Sequence, residues 1–285
     1  MLKTIFLNPE EKLRDGWWVV IFFIILIAFL FPLIVLADKY AFEITITHQA
    51  FLIFIVSIIC QFLKKNSISN LTGQIDKKWF SELALGIGIG AAVMILPVLV
   101  LTLLGYVSWQ SNAFSYPTII SGVVLFISVA LAEELLFRGF LFQRLLVSIG
   151  EWPAQFIIAG LFLLTHLNNP GMTGVVKIFA SINIFIASLL FGLVYLKTKN
   201  LAMPIGLHFM ANFTQGTLLG FGVSGNKEPS LVIPNFNNAP LWLSGGQFGI
   251  EASVLGLFFL ILITLMIGFN YDFNNRFMSK NLLKN

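Results

Sequence analysis

The chain has 285 residues, 58% of them hydrophobic and only 11% charged, with a mean hydropathy of +0.90. Soluble globular domains carry about 25% charged residues, so a water-soluble fold is excluded, and the composition predicts an all-α, polytopic bundle of membrane helices. The net charge of +4 is accounted for by lysine and arginine at one membrane face and requires no nucleic-acid partner. The single Cys60 rules out an intrachain disulfide and reads as a buried, inert thiol.

Apolar runs of about 20 residues mark membrane spans. In chain order they fall at about 17–37, 45–63, 82–104, 118–144, 153–167, 175–196, 201–220 and 248–270. The fifth is short for a full crossing and either tilts little or stops inside the protein. Pro32 and Pro97 fall within the first and third spans and predict kinks there. The first 16 residues, with Asn8, Pro9, Glu10 and Glu11, lack the form of a secretory n-region. An uncleaved first span after a short interfacial segment is expected. The longest loop, about 221–246, is rich in Gly, Pro and Asn; it reads as a candidate flexible cap with no recognisable chemistry of its own.

Positive charge sets the orientation. With the N-terminus inside, the cytoplasmic segments hold Lys3, Lys12, Arg14, Lys64, Lys65, Lys77, Lys78, Arg144, Lys197, Lys199, Arg276, Lys280 and Lys284, against Lys39, Lys177 and Lys227 outside. Eight spans with both termini cytoplasmic produce this asymmetry. Trp17, Trp18, Trp79, Trp109, Trp152 and Trp242 all fall at or near span ends, where indole prefers the headgroup region.

Inside the fourth apolar run stand Glu133, Glu134 and Arg138. An intramembrane charge costs at least ~2.5 kcal/mol on insertion scales and is by default a functional-site hypothesis. Glu134 and Arg138 are four apart, with the acid N-terminal, and can pair on one helix face. Glu133 points about 100° away and is left without that partner, as a candidate general base or acid. A purely structural ion cluster, packing this helix against its neighbours, is the alternative. His166 closes the fifth span, with Phe162 one turn behind it, and His208 opens the seventh, with Asn212 one turn ahead. Opposed helix directions bring Glu133, His166, His208 and Asn212 to a similar depth, Glu133 being roughly 16 Å along the helix from Arg144 at 1.5 Å per residue.

Other features have plainer readings. Gly86, Gly88 and Gly90 lie inside an apolar span without a preceding strand, so Gly86 and Gly90 read as a close-packing face and not as a nucleotide loop. His48 reads as interfacial. Ser181, Asn183 and Ser188 make span six partly polar, either towards a cavity or for hydrogen bonding between helices.

The ordered set, Glu133, Glu134 and Arg138, then Phe162 and His166, then His208 and Asn212, each group on its own helix, resembles the CPBP family of CAAX proteases and bacteriocin-processing enzymes, also called the Abi family. The resemblance runs from about residue 118 to 215, with Phe137 and Gly139 flanking Arg138. It implies a catalytic core over residues 117–220, preceded by helices one to three (1–116) and followed by the outer loop and helix eight (221–285). By resemblance, Glu133 activates water with help from His166, His208 and Asn212 stabilise an oxyanion, and Glu134 and Arg138 hold the motif helix. The implied activity is intramembrane peptide hydrolysis, in a prokaryotic plasma membrane, on a peptide or membrane-protein substrate reaching the site from the cytoplasmic side. A divalent metal such as zinc, on Glu133, His166 and His208, is an open alternative; the residues lean away from it, because Glu133 cannot be both ligand and free base. A non-catalytic immunity or scaffold protein binding a bacteriocin-like peptide through the same cavity is the rival reading. A proton-coupled transporter is disfavoured by the lack of an internal repeat.

Overall fold

The computed structural model describes residues 5–282, and side chains over residues 5–269. Lys3 and Lys284 lie outside the described residues, as do the side chains of Arg276 and Lys280. The chain runs through α1 (Asp15–Tyr40), α2 (Ile46–Leu63), α3 (Lys77–Leu103), α4 (Tyr116–Ile149), α5 (Glu151–His166), α6 (Gly174–Thr198), α7 (Ala202–Phe213) and α8 (Val254–Leu282). By length and composition, α1, α2, α4, α6 and the helical stretch Ser69–Leu103 that contains α3 are long and apolar enough to cross a membrane.

Local signals account for the helix ends. Asp76 caps α3 by accepting a hydrogen bond from the backbone N–H of Trp79 at 2.8 Å. Ser115 caps α4 in the same way, accepting from Thr118 N–H at 3.3 Å, with a proline in the first turn. His48, expected at the interface, forms a capping box with Thr45 at the start of α2, its Nδ1 accepting from Thr45 N–H at 3.1 Å. Pro32 and Pro97 lie inside α1 and α3.

The core sits between α3, α4, α6 and α7, while α1 stands at the periphery with few buried residues. Its foot is fastened by charge: Asp15 pairs with Lys64 and accepts from Arg144 Nη1 at 2.8 Å, joining α1, α2 and α4. Gly86 and Gly90 behave as a packing face. A Cβ at Gly86 would overlap the Met203 carbonyl oxygen and one at Gly90 that of Leu207, whereas Gly88 faces open space. Gly206 answers from α7, where a Cβ would overlap the carbonyl oxygen of Leu83. The two backbones therefore touch, and α7 is seated at a fixed height on α3.

The all-helical expectation needs one addition. β1 (Val107–Ser111) pairs antiparallel with β2 (Val232–Phe236), Trp109 standing opposite Pro234. The β-branched and aromatic residues Val107, Trp109, Val232, Ile233 and Phe236 suit a short strand pair, and Pro234 is tolerated because a two-stranded ribbon is all edge. The long loop is thus tied down: Leu231 N–H donates to Thr217 O at 2.8 Å, and Gly225 N–H to Phe248 O at 3.1 Å.

Candidate active site

The chemistry-bearing helix is not uniformly α-helical. Within α4, residues Leu135–Leu141 form a π-helical segment, an insertion that is frequent at functional sites. It follows immediately after Glu133 and Glu134 and contains Arg138. Glu134 and Arg138 are completely buried, and Arg138 Nη1 donates to Glu134 Oε1 at 3.3 Å, so the expected pair forms. Arg138 Nη2 also donates to Ser188 Oγ at 2.7 Å and to Ser188 O at 3.1 Å, crossing to α6. Its guanidinium lies 4.8 Å from the Phe162 ring centre and 4.9 Å from that of Phe191. This aromatic sandwich compensates an Nε that has no hydrogen-bond partner among the described residues.

His208 joins the two carboxylates. Its Nδ1–H donates to Glu134 Oε1 at 2.8 Å, and its Nε2 faces Glu133 Oε2 at 3.7 Å. The ring stacks on Phe191, 4.9 Å between centres and 12° from parallel. Phe191 therefore holds the imidazole on one side and the guanidinium on another. Glu133 Oε2 has no hydrogen-bond partner among the described residues.

Glu133, His166, His208 and Asn212 line one cavity of about 560 Å³. His166 is fixed by its own helix: Nδ1–H donates to Phe162 O at 2.7 Å, leaving Nε2 free, and the ring lies 4.7 Å from that of Phe162. The structure thus brings Glu133, Glu134, Arg138 and His208 into one contact network, and sets His166 and Asn212 on the cavity wall without a hydrogen bond to Glu133 among the described residues. Asn183 of span six lines the cavity as well, whereas Ser188 serves Arg138.

Among the described residues, no three His, Cys, Asp or Glu side chains are gathered closely enough to hold a metal ion. Glu133, His166 and His208 do not form a ligand set in this geometry. The cavity also takes residues that the sequence did not single out: Glu43 before α2, Ser224, Asn226 and Glu228 in the long loop, and Glu251 before α8. The loop therefore contributes polar and acidic groups, and burial pushes the Glu228 carboxyl above its usual range. Loop residues rich in Asn and Gly give no periodic signal, so only the fold could reveal them.

No match was found among curated proteins. Residues 115–214, the stretch holding α4 to α7 with all six singled-out site residues, match the family described as type II CAAX prenyl endopeptidase Rce1-like. Over this segment the chain is similar to a CAAX protease family, as the order and spacing of its charged and imidazole residues indicate.

Proposed function

We propose that the protein is an intramembrane endopeptidase in a multi-pass, eight-span arrangement with both termini cytoplasmic, and that Glu133 is its general base. The observation that carries this reading is Glu133, which lines the cavity and stands 3.7 Å from His208 Nε2 with no hydrogen bond to its Oε2 among the described residues. Glu133 takes a proton from a water as its oxygen adds to the scissile carbonyl carbon. His166, with Nε2 free, orients that water from the facing wall. His208 and Asn212, one turn apart on α7, donate to the oxygen that becomes negative. Glu133 then passes the proton to the leaving amine.

The buried charges support these roles. Arg138 is the ion-pair partner of Glu134, and His208 keeps its Nδ1 bond to Glu134 while its Nε2 is left to serve the oxyanion. Glu134 and Arg138 are positioning residues: they fix the tilt of the ring. No step requires a metal ion.

The test is cleavage of a quenched fluorescent peptide library by purified protein in detergent, with Glu133→Ala and His208→Ala alongside. Cleavage by wild type that disappears in both variants is the expected result. Equal signals in all three would expose a contaminant, and no cleavage by wild type, with the substitutions harmless in cells, would favour a peptide-binding protein.

A further inference from the structure

The cavity reaches well beyond the catalytic group. No described lining residue comes from the segments 63–77, 144–151 or 197–202; the lining runs instead to Glu43, Glu228 and Glu251, beneath the loop that joins α7 to α8. Neither Lys nor Arg is among the described lining residues, and none of these three carboxylates forms an ion pair among the described residues. Glu251 is held in place. Its Oε1 accepts from Ser224 N–H at 2.6 Å and from Gln215 Nε2 at 3.1 Å, while its Oε2 has no hydrogen bond among the described residues. It lines the same cavity as His166 and Glu133, so this part of the cavity adjoins the reacting groups.

A second observation is independent of the acids. Asn183 projects from the middle of α6 into the same cavity, is only 5% exposed, and has no hydrogen-bond partner among the described residues. Its amide faces the cavity without a partner from the described residues, and its two donors and acceptor match the backbone of an extended peptide.

We propose that this half of the cavity is a substrate subsite for a cationic group of the peptide, with Glu251 as its counter-ion, Glu228 and Glu43 at the mouth and Asn183 on the peptide backbone. The subsite takes its substrate from the endopeptidase reading and adds a charge preference to it. A cation entering this low-dielectric cleft favours the ionised form of the cleft's carboxyls, whereas a further carboxylate is repelled by them, so a peptide presenting its free C-terminus to this mouth is disfavoured. The cation is a Lys or Arg side chain or a free N-terminal ammonium.

Binding and cleavage separate the two ideas. Full-length Glu133→Gln protein in nanodiscs is titrated with fluorescent peptides matched in length: one with Lys and a free N-terminus, one with norleucine in place of Lys, one acetylated, and one with both changes. The peptide bearing a cation is expected to bind about tenfold tighter than the doubly neutral one, and the two singly changed peptides tell side chain from terminus. Adding Glu251→Gln should reduce the preference to about twofold or less, whereas Asn183→Leu should weaken all peptides alike. Should the Glu251→Gln protein not fold, the double variant Glu43→Gln, Glu228→Gln is expected to slow association of the cationic peptide and flatten its salt dependence. Equal binding of cationic and neutral peptides, or a preference untouched by these variants, would overturn the subsite. Preferential binding with no cleavage by wild type would overturn the protease reading and leave the subsite standing; cleavage without charge preference would do the reverse.

Discussion

His208 is committed through Nδ1 to Glu134, while its Nε2 stands 3.7 Å from Glu133 without a hydrogen bond, and this decides what each neighbouring substitution does. Glu133→Gln keeps the shape and removes the proposed base, so kcat/KM is expected to fall about 10²- to 10⁴-fold while the thermal unfolding midpoint stays close to wild type. A parallel loss of folding would assign Glu133 to structure. Arg138→Lys is expected to behave in the opposite way. Lysine cannot reach Glu134 and Ser188 together or stack flat between Phe162 and Phe191, and it leaves Glu134 poorly paired where no water reaches; losing such a partner costs about 3–5 kcal/mol. The expected result is a large drop in the unfolding midpoint. Because Glu133, His166 and His208 are not gathered into a ligand set, cleavage by purified protein should survive prolonged treatment with a strong chelator; loss of activity that zinc restores would overturn that expectation.

At the level of whole elements, the His208 imidazole is placed by contact between two backbones. α7 rides on α3 where Gly86, Gly90 and Gly206 let carbonyl groups approach, and His208 lies one residue beyond Leu207, whose carbonyl fills the space at Gly90. Gly90→Ala must push α7 outward, which predicts a loss of about 1–3 kcal/mol of stability and a disproportionate loss of cleavage as His208 leaves Glu134. Gly88→Ala, which meets open space on the same helix, is the control and should be silent in both assays. Equal effects at the two positions would mean that helix propensity, and not the contact, is being read. This packing face was legible in the sequence because small residues four apart declare it, and so was the Glu134 and Arg138 pair. The π-helical segment Leu135–Leu141 was not. A regular helix drawn through α4 gives the pair correctly but misses the bond from Glu134 to His208, because residue spacing along one helix says nothing about which acid meets a ring on another. The ribbon of β1 and β2 was equally hidden, since five-residue strands 125 positions apart, such as Val107 and Val232, carry no local sign of their pairing.

For the molecule as a whole, the cavity and the larger group of cations lie at opposite ends. The Asp15, Lys64 and Arg144 cluster marks one end of the bundle, and the cavity opens towards the other, under the loop carrying Glu228. If the excess of lysine and arginine faces the cytoplasm, the mouth faces away from it, and a substrate reaches Glu133 from the outer side. Labelling of single cysteines in intact cells tests this directly. The native Cys60 is fully buried and gives little background. Lys227→Cys, at an exposed position beside Glu228, should react with a membrane-impermeant maleimide before lysis. Lys78→Cys, replacing a side chain 72% exposed at the start of α3, should react only after the membrane is opened. The reversed pattern would put the cavity mouth in the cytoplasm, in reach of cytoplasmic peptides. The acidic subsite would keep its chemistry in that case, because Glu251 recognises charge and not the compartment from which the peptide comes.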